Sequence, residues 1–181
     1  GFDTGPGNNL MDEYIQLMTK NKFDSNGEIA SKGKIDKTLL KKFLSNEYFK
    51  KPFPKSLDKH FFNNEFNYFK QIDMRLTDAM STLAEITITS IIDSLKFLPK
   101  FPKSIIIAGG GYKNKYLTNR LRDKINISFY DLNEFNHDPD FIESELIAFL
   151  TARHFFDLPI TFPETTGVSE PSVGGKMYKS L

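Results

Sequence analysis

The chain has 181 residues, enough for one domain or two very small ones, and for burial of about 70% of its unfolded surface. Lys plus Arg number 24 against 23 Asp plus Glu, a net charge of +1, which argues against a broad nucleic-acid footprint and against a charged tail. With no cysteine, disulfide frameworks, Cys zinc sites and thiol catalysis are excluded. The longest apolar runs, such as Ile105 to Ala108, fall far short of the roughly 20 residues that span a bilayer, and no stretch reads as a secretory signal.

The first element is a motif. Gly1-Phe2-Asp3-Thr4-Gly5-Pro6-Gly7-Asn8 opens the chain, and a working loop of this kind ordinarily follows a strand, here of only two or three residues. It reads as a chain that starts at, or just before, such a loop. Apolar spacings of three and four predict a helix over 8–20, with Asn8 or Asn9 to cap it and Asp12 and Glu13 in its first turn. Residues 21–35 are polar and read as loop. A short amphipathic helix runs from Ile35 to Leu44, and Tyr48 to Ser56, with two prolines and three aromatics, reads as an ordered loop packed on the body. Leu76 to Leu98 is the longest helix. Ile86-Thr87-Ile88-Thr89 inside it alternates like a strand, but length and Pro99 favour helix. Ser104 to Ala108 reads as a short strand buried on both faces. Three glycines then lead into a helix over Asn114 to Lys124, a second strand over Ile125 to Tyr130, a helix over Pro139 to Phe156 and a Gly- and Pro-containing tail. Helices alternating with short strands make the class α/β.

Two loops can carry chemistry. Gly5 and Gly7 allow backbone N–H groups to approach a ligand, and a helix N-terminus follows, so the first loop suits phosphate. Asp3 beside it would be a carboxylate facing a like charge, which proton transfer or Mg²⁺ would explain; the bland reading is a tight turn capped by Asp3. The second loop is Gly109-Gly110-Gly111 between strand and helix. A dinucleotide fingerprint would need glycine at 114, where Asn114 stands, although Asp131 follows the second strand at about the right distance. The bland reading is a turn needing positive φ. Glu143 and Glu145 are two apart on a helix, so they point to different faces. His60, His137 and His154 share no ligand spacing, so no metal cluster is assigned. Lys50, Lys51, Lys55 and Lys59 form a basic cluster that reads mainly as a solvated face.

In series, these segments resemble the anhydro-N-acetylmuramic acid kinase family. The residues that carry the resemblance are Gly1 to Asn8 with Met11-Asp12, Phe23 to Ala30, Pro52 to Asp58, Ala79 to Leu83, and Ala108 to Gly111 with Asn114. Glu143 with Ala148-Phe149-Leu150, Leu158-Pro159, Phe162 to Gly167, Pro171 and Gly175 to Tyr178 complete the series in the family's order. The resemblance implies an actin-like, hexokinase-like sugar-kinase fold: two α/β lobes with ATP between them, mixed sheets and packed helices. Residues 1–181 would be the C-terminal lobe, and the N-terminal lobe, with its own phosphate loop and metal-binding acid, would lie before Gly1 or on a separate chain. A homodimer is a further possibility of the family.

The implied reaction hydrolyses the 1,6-anhydro ring of anhydro-N-acetylmuramic acid and phosphorylates O6 from ATP with Mg²⁺, in recycling of cell-wall fragments in the bacterial cytoplasm. By the same resemblance Asp3 matches the base; Thr4, Gly5, Gly7 and Asn8 would hold phosphate; Gly109, Gly110, Gly111 and Asn114 would hold adenosine; and Glu143 would stand near the sugar. A lobe alone would give very little rate, since phosphoryl transfer depends on a complete clamp. Two rivals stay open at this point: a non-catalytic remnant, and a dinucleotide or methyl-donor module on Gly109 to Asp131.

Overall fold

The computed structural model describes residues 1–178. Its centre is one helix. Leu76–Ser94 (called α4 below) runs about 28 Å and buries residues on every side, from Ala79 and Met80 through Leu83, Ile86 and Ile88 to Ser90 and Ser94. A helix surrounded in this way needs no single apolar stripe, and the strand-like alternation at 86–89 is overruled by its position in the middle of the helix.

Of the elements that precede α4, the turn at 30–32 and the first two helices pack most closely on it. Helix α1 (Asn9–Met18) buries Leu10, Met11, Tyr14 and Ile15 against it, while Leu17 and Met18 remain exposed. Helix α2 (Lys37–Leu44) starts where the Asp36 carboxylate accepts from the N–H groups of Thr38 and Leu39, at 2.8 and 2.9 Å. Residues 47–50 form a 3₁₀ turn, and α3 (Asn63–Lys70) follows. The sequence reading passed over α3: three asparagines in eight residues are poor helix formers. Phe66 and Phe69, three apart and almost fully buried, hold it in place. Around them Phe43, Tyr48, Phe49 and Phe62 form a stack of aromatic rings with centroids 5.2 to 6.2 Å apart.

The second half holds a βαβ unit: β1 (Ser104–Ile107), α5 (Lys115–Lys124) and β2 (Ser128–Asp131), with the strands parallel and Ile105 opposite Phe129. Two sequence expectations change here. The sheet expected to be mixed is, among the described residues, these two parallel strands, and antiparallel pairing occurs only as the isolated bridge Thr161–Ser172. β1 is also not buried on both faces. Ile107 and Phe129 pack toward the core, but Ile106 and Tyr130 on the other face are 49% and 39% exposed, because no layer of the described residues covers that side. Helix α6 (Ile142–Phe155) has no buried residue, and a short α7 (Pro163–Thr166) follows it. The architecture is thus mixed α/β, with packed helices and a small parallel sheet. No helix among the described residues is long and apolar enough to cross a membrane.

Candidate functional site

Residues 1–8 contain no strand; the loop is held by cross-chain bonds instead. The Asp3 N–H donates to the Lys55 carbonyl at 3.1 Å. The Tyr48 hydroxyl donates to the Asp3 carbonyl at 2.7 Å, and the Leu57 N–H donates to Asp3 Oδ2 at 2.7 Å. Asp3 therefore stands exposed on the ordered 52–58 loop. Lys55 lies beside it and is held over the Tyr48 ring at 4.6 Å, with partial burial lowering the ammonium pKa. Burial first, and then the Asp3 charge, push the Tyr48 hydroxyl up to about 12.

The next residues lean on α4. A methyl on Gly5 would lie 2.4 Å from Ser90 Oγ, so glycine there has a packing reason independent of any ligand. The Gly7 carbonyl accepts from the Thr87 hydroxyl at 2.6 Å. Thr4 is half-buried between these anchors. Asn8 occupies the cap position of α1 but makes no side-chain cap bond; its carboxamide faces the second loop, where a methyl on Gly111 would lie 3.6 Å from Asn8 Nδ2.

That second loop follows β1. Gly109 has φ +74°, which favours glycine, and side chains added at Gly109 or Gly110 would enter open space. Asn114 is buried and caps α5 by accepting from the Leu117 N–H at 3.1 Å, so its oxygen serves the fold while the residue lines the site. The two loops share a cleft of about 960 Å³ whose walls include Asn8, Asp12, Gly110, Asn114, Lys115 and Arg122. Its volume lies at the upper end of the range of small-molecule sites, about 300 to 1,000 Å³. Burial raises the pKa of Asp12 at its edge. Asp3 lies outside this cleft and lines two smaller hollows, one with Lys55 and Ser56 and one with Leu57 and Lys59. The chain from Asp3 to Asn8 thus connects a carboxylate at one end to the cleft at the other.

Asp131 is engaged within the protein. Its Oδ2 accepts from the Tyr112 hydroxyl, and its Oδ1 accepts from both nitrogens of Asn133, at 2.9 Å (backbone) and 2.7 Å (side chain). These bonds, with Tyr112 first, lower the Asp131 pKa and raise that of Tyr112. A ribose hydroxyl would have to displace them, which counts against a dinucleotide module. Glu143 is not brought to either loop: it lies on α6 in a shallow hollow with Glu145, Leu146 and Phe149, where Glu145 bonds His137 at 2.9 Å. Among the described residues no three His, Cys, Asp or Glu side chains gather to hold a metal ion.

Residues 1–180 match the family model described as Anhydro-N-acetylmuramic acid kinase. The chain belongs to that family. The anhydro-N-acetylmuramic acid kinase of Zymomonas mobilis is 35% identical over 176 residues, covering 97% of this chain and 47% of the relative. Proteins of the same name from Hydrogenovibrio crunogenus and Methylobacterium nodulans are 35% and 36% identical, covering 98% and 96% of this chain and 50% and 46% of themselves. The chain spans about half the length of the curated relatives it matches. The family is one of ATP-binding sugar kinases, transferases of amino-sugar and peptidoglycan metabolism.

Several residues that shape the site escaped the sequence reading. Thr87 and Ser90 looked like interior helix residues, and Tyr48 like part of a loop packed on the body. Their partners lie 80, 85 and 45 positions away, and no local spacing reports such distances.

Proposed function

We propose that this chain is the C-terminal lobe of an anhydro-N-acetylmuramic acid kinase, binding the nucleotide in the large cleft and the anhydro sugar beside Asp3. The observation that carries the reading is the single anchored loop from Asp3 to Asn8, with a half-free carboxylate at one end and the glycine-lined cleft at the other. Adenosine would lie along Gly109, Gly110, Gly111 and Asn114. Phosphates would run toward Asn8 and the N–H groups of Thr4, Gly5 and Gly7. Asp3 would take a proton from water as that water's oxygen bonds to the anomeric carbon of the sugar. The bond from that carbon to O6 breaks, O6 bonds to the γ-phosphorus, and ADP leaves. The products are N-acetylmuramic acid 6-phosphate and ADP.

In this reading the Leu57 N–H fixes one Asp3 oxygen and leaves the other to the sugar side, while Lys55 balances charge nearby. Glu143 would reach the sugar only through a different seating of α6. Mg²⁺, and the groups that hold it, would come with ATP and with the half of the relatives that this chain does not match. A cytoplasmic setting goes with the substrate and ATP.

The test joins the chain to the first half of a relative and follows ADP formation with anhydro-N-acetylmuramic acid. Asp3→Asn retains an acceptor for the Leu57 N–H but cannot take the proton, so kcat should fall by about 10² to 10⁴ with ATP affinity little changed. A variant with wild-type kcat and a lowered melting temperature would make Asp3 a turn cap. The unjoined chain should show no measurable turnover; a rate within tenfold of the joined enzyme would sink the half-site reading.

A further inference from the structure

Most residues lining the large cleft are polar in type, and a purine needs an apolar face. Two aromatic residues line it, Tyr112 and Phe23. Tyr112 directly follows the glycine triplet, and its hydroxyl is bound to Asp131. Phe23 is different. Its ring is 57% exposed, and it sits in the 21–35 segment, opposite the start of α5.

An exposed phenylalanine on a loose loop would mean little, since single exposed apolar residues are common. The backbone next to this one is firmly held. Asp24 is 5% exposed, and its two carboxylate oxygens accept from the Ile29 and Ala30 N–H groups, each at 2.9 Å. Ala30 is fully buried against α4. Gly27, with φ +72°, presses on the N-terminus of α5, where a methyl would come within 2.3 Å of Asn114 Oδ1 and 2.4 Å of Tyr116 Cβ. The loop carrying Phe23 is therefore clamped to the core on one side and to the adenosine-side helix on the other. Its ring is kept at the lip of the cleft and out of the core.

We propose that Phe23 is the stacking platform for the base of the bound nucleotide, with the phosphates directed toward Asn8. The proposal rests on the reading of the cleft as the nucleotide site and adds the residue that receives the base. Every base has a π-face, so a phenyl platform supplies affinity for a base and little choice between adenine and guanine.

The experiment measures binding of ADP, GDP and inorganic tripolyphosphate to the 181-residue chain by calorimetry, beside Phe23→Ala and Phe23→Tyr. Phe23→Ala should weaken ADP and GDP alike by about tenfold, the size expected of one base–aromatic stack, and leave tripolyphosphate unchanged. Phe23→Tyr should restore both nucleotides. The melting temperature should stay constant across the three proteins, since the ring is exposed. Unchanged ADP affinity in Phe23→Ala, or an equal loss for tripolyphosphate, overturns the platform. Should the parent bind ADP no better than tripolyphosphate, the platform falls and an anion site remains. Should it bind none of the three, the platform and the nucleotide reading of the cleft fall together.

Discussion

The Thr87 hydroxyl, in the middle of the central helix, donates to the Gly7 carbonyl at 2.6 Å across 80 positions of sequence. It is the direct tie between the body and the turn that leads into α1. Thr87→Val keeps the shape and removes the donor. Water can reach the exposed Gly7, so the expected loss is about 1 kcal/mol. Amide exchange over residues 5–9 should quicken, as seen by hydrogen–deuterium exchange. Unaltered exchange there would mean the loop is held by its other anchors.

Ser90 and Gly5 pose a steric question. Gly5→Ala would place a methyl 2.4 Å from Ser90 Oγ and 2.8 Å from Ser90 Cβ. Overpacking of this kind costs about 1 to 3 kcal/mol. Ser90→Gly in the same chain removes both contacts, so the double variant should recover most of the loss beyond the helix cost of glycine. Chemical denaturation of the four proteins of this cycle reads the coupling directly.

The second glycine loop separates folding from binding. Gly109→Ala puts a side chain at φ +74° and should lower stability by about 1 to 2 kcal/mol. Gly110 has neither a positive φ nor a neighbour within 4 Å of an added methyl. Gly110→Val should therefore leave the melting temperature nearly unchanged and weaken ATP binding by occupying ligand space. Undiminished affinity in the folded variant would remove adenosine from this loop.

Which parts of the molecule were legible in the sequence follows from the range of the interactions. Helices α1, α2, α4 and α5, and the turn at Gly109, announce themselves through spacing, caps and glycine, all local signals. Helix α3 does not: its asparagines oppose helix, and Phe66 and Phe69 are rewarded only by the distant core they enter. The exposed face of β1 was misread because Ile105-Ile106-Ile107 looks the same whether one side of the strand is covered or two. At the site, both glycine loops were visible, but their meeting through Asn8 and Gly111 is a tertiary fact. Asp131 looked like a ribose ligand by its position, and only the fold shows Tyr112 against it.

Tyr48 supplies a pH test. Burial and the Asp3 charge push its hydroxyl up to about 12, whereas an unfolded tyrosine titrates near about 10. Between those values the folded chain keeps a proton that the unfolded chain has lost. The stability from this group is therefore whole below about pH 10 and is lost as the pH rises through about 12. Tyr48→Phe also forfeits the bond to the Asp3 carbonyl, which should cost about 1 kcal/mol at pH 8. The gap between the two proteins should narrow as urea midpoints are followed from pH 9.5 to 11.5, both values chosen to straddle about 10. A gap that stays constant would contradict the assigned shift.

Glu85, with its side chain 4% exposed, binds Arg120 at 2.9 Å and also binds Lys124, both on α5, two residues before Thr87 reaches the Gly7 turn. Two residues are about 3 Å of rise and roughly 200° of rotation, so one stretch of α4 holds the Gly7 turn and α5 from opposite faces. The helix acts as a caliper locked at folding. The span from the Gly7 turn to α5 is therefore a length set by the fold. Any closing stroke around a bound molecule would then have to be made by something that moves against this body, since its own two jaws share one rod.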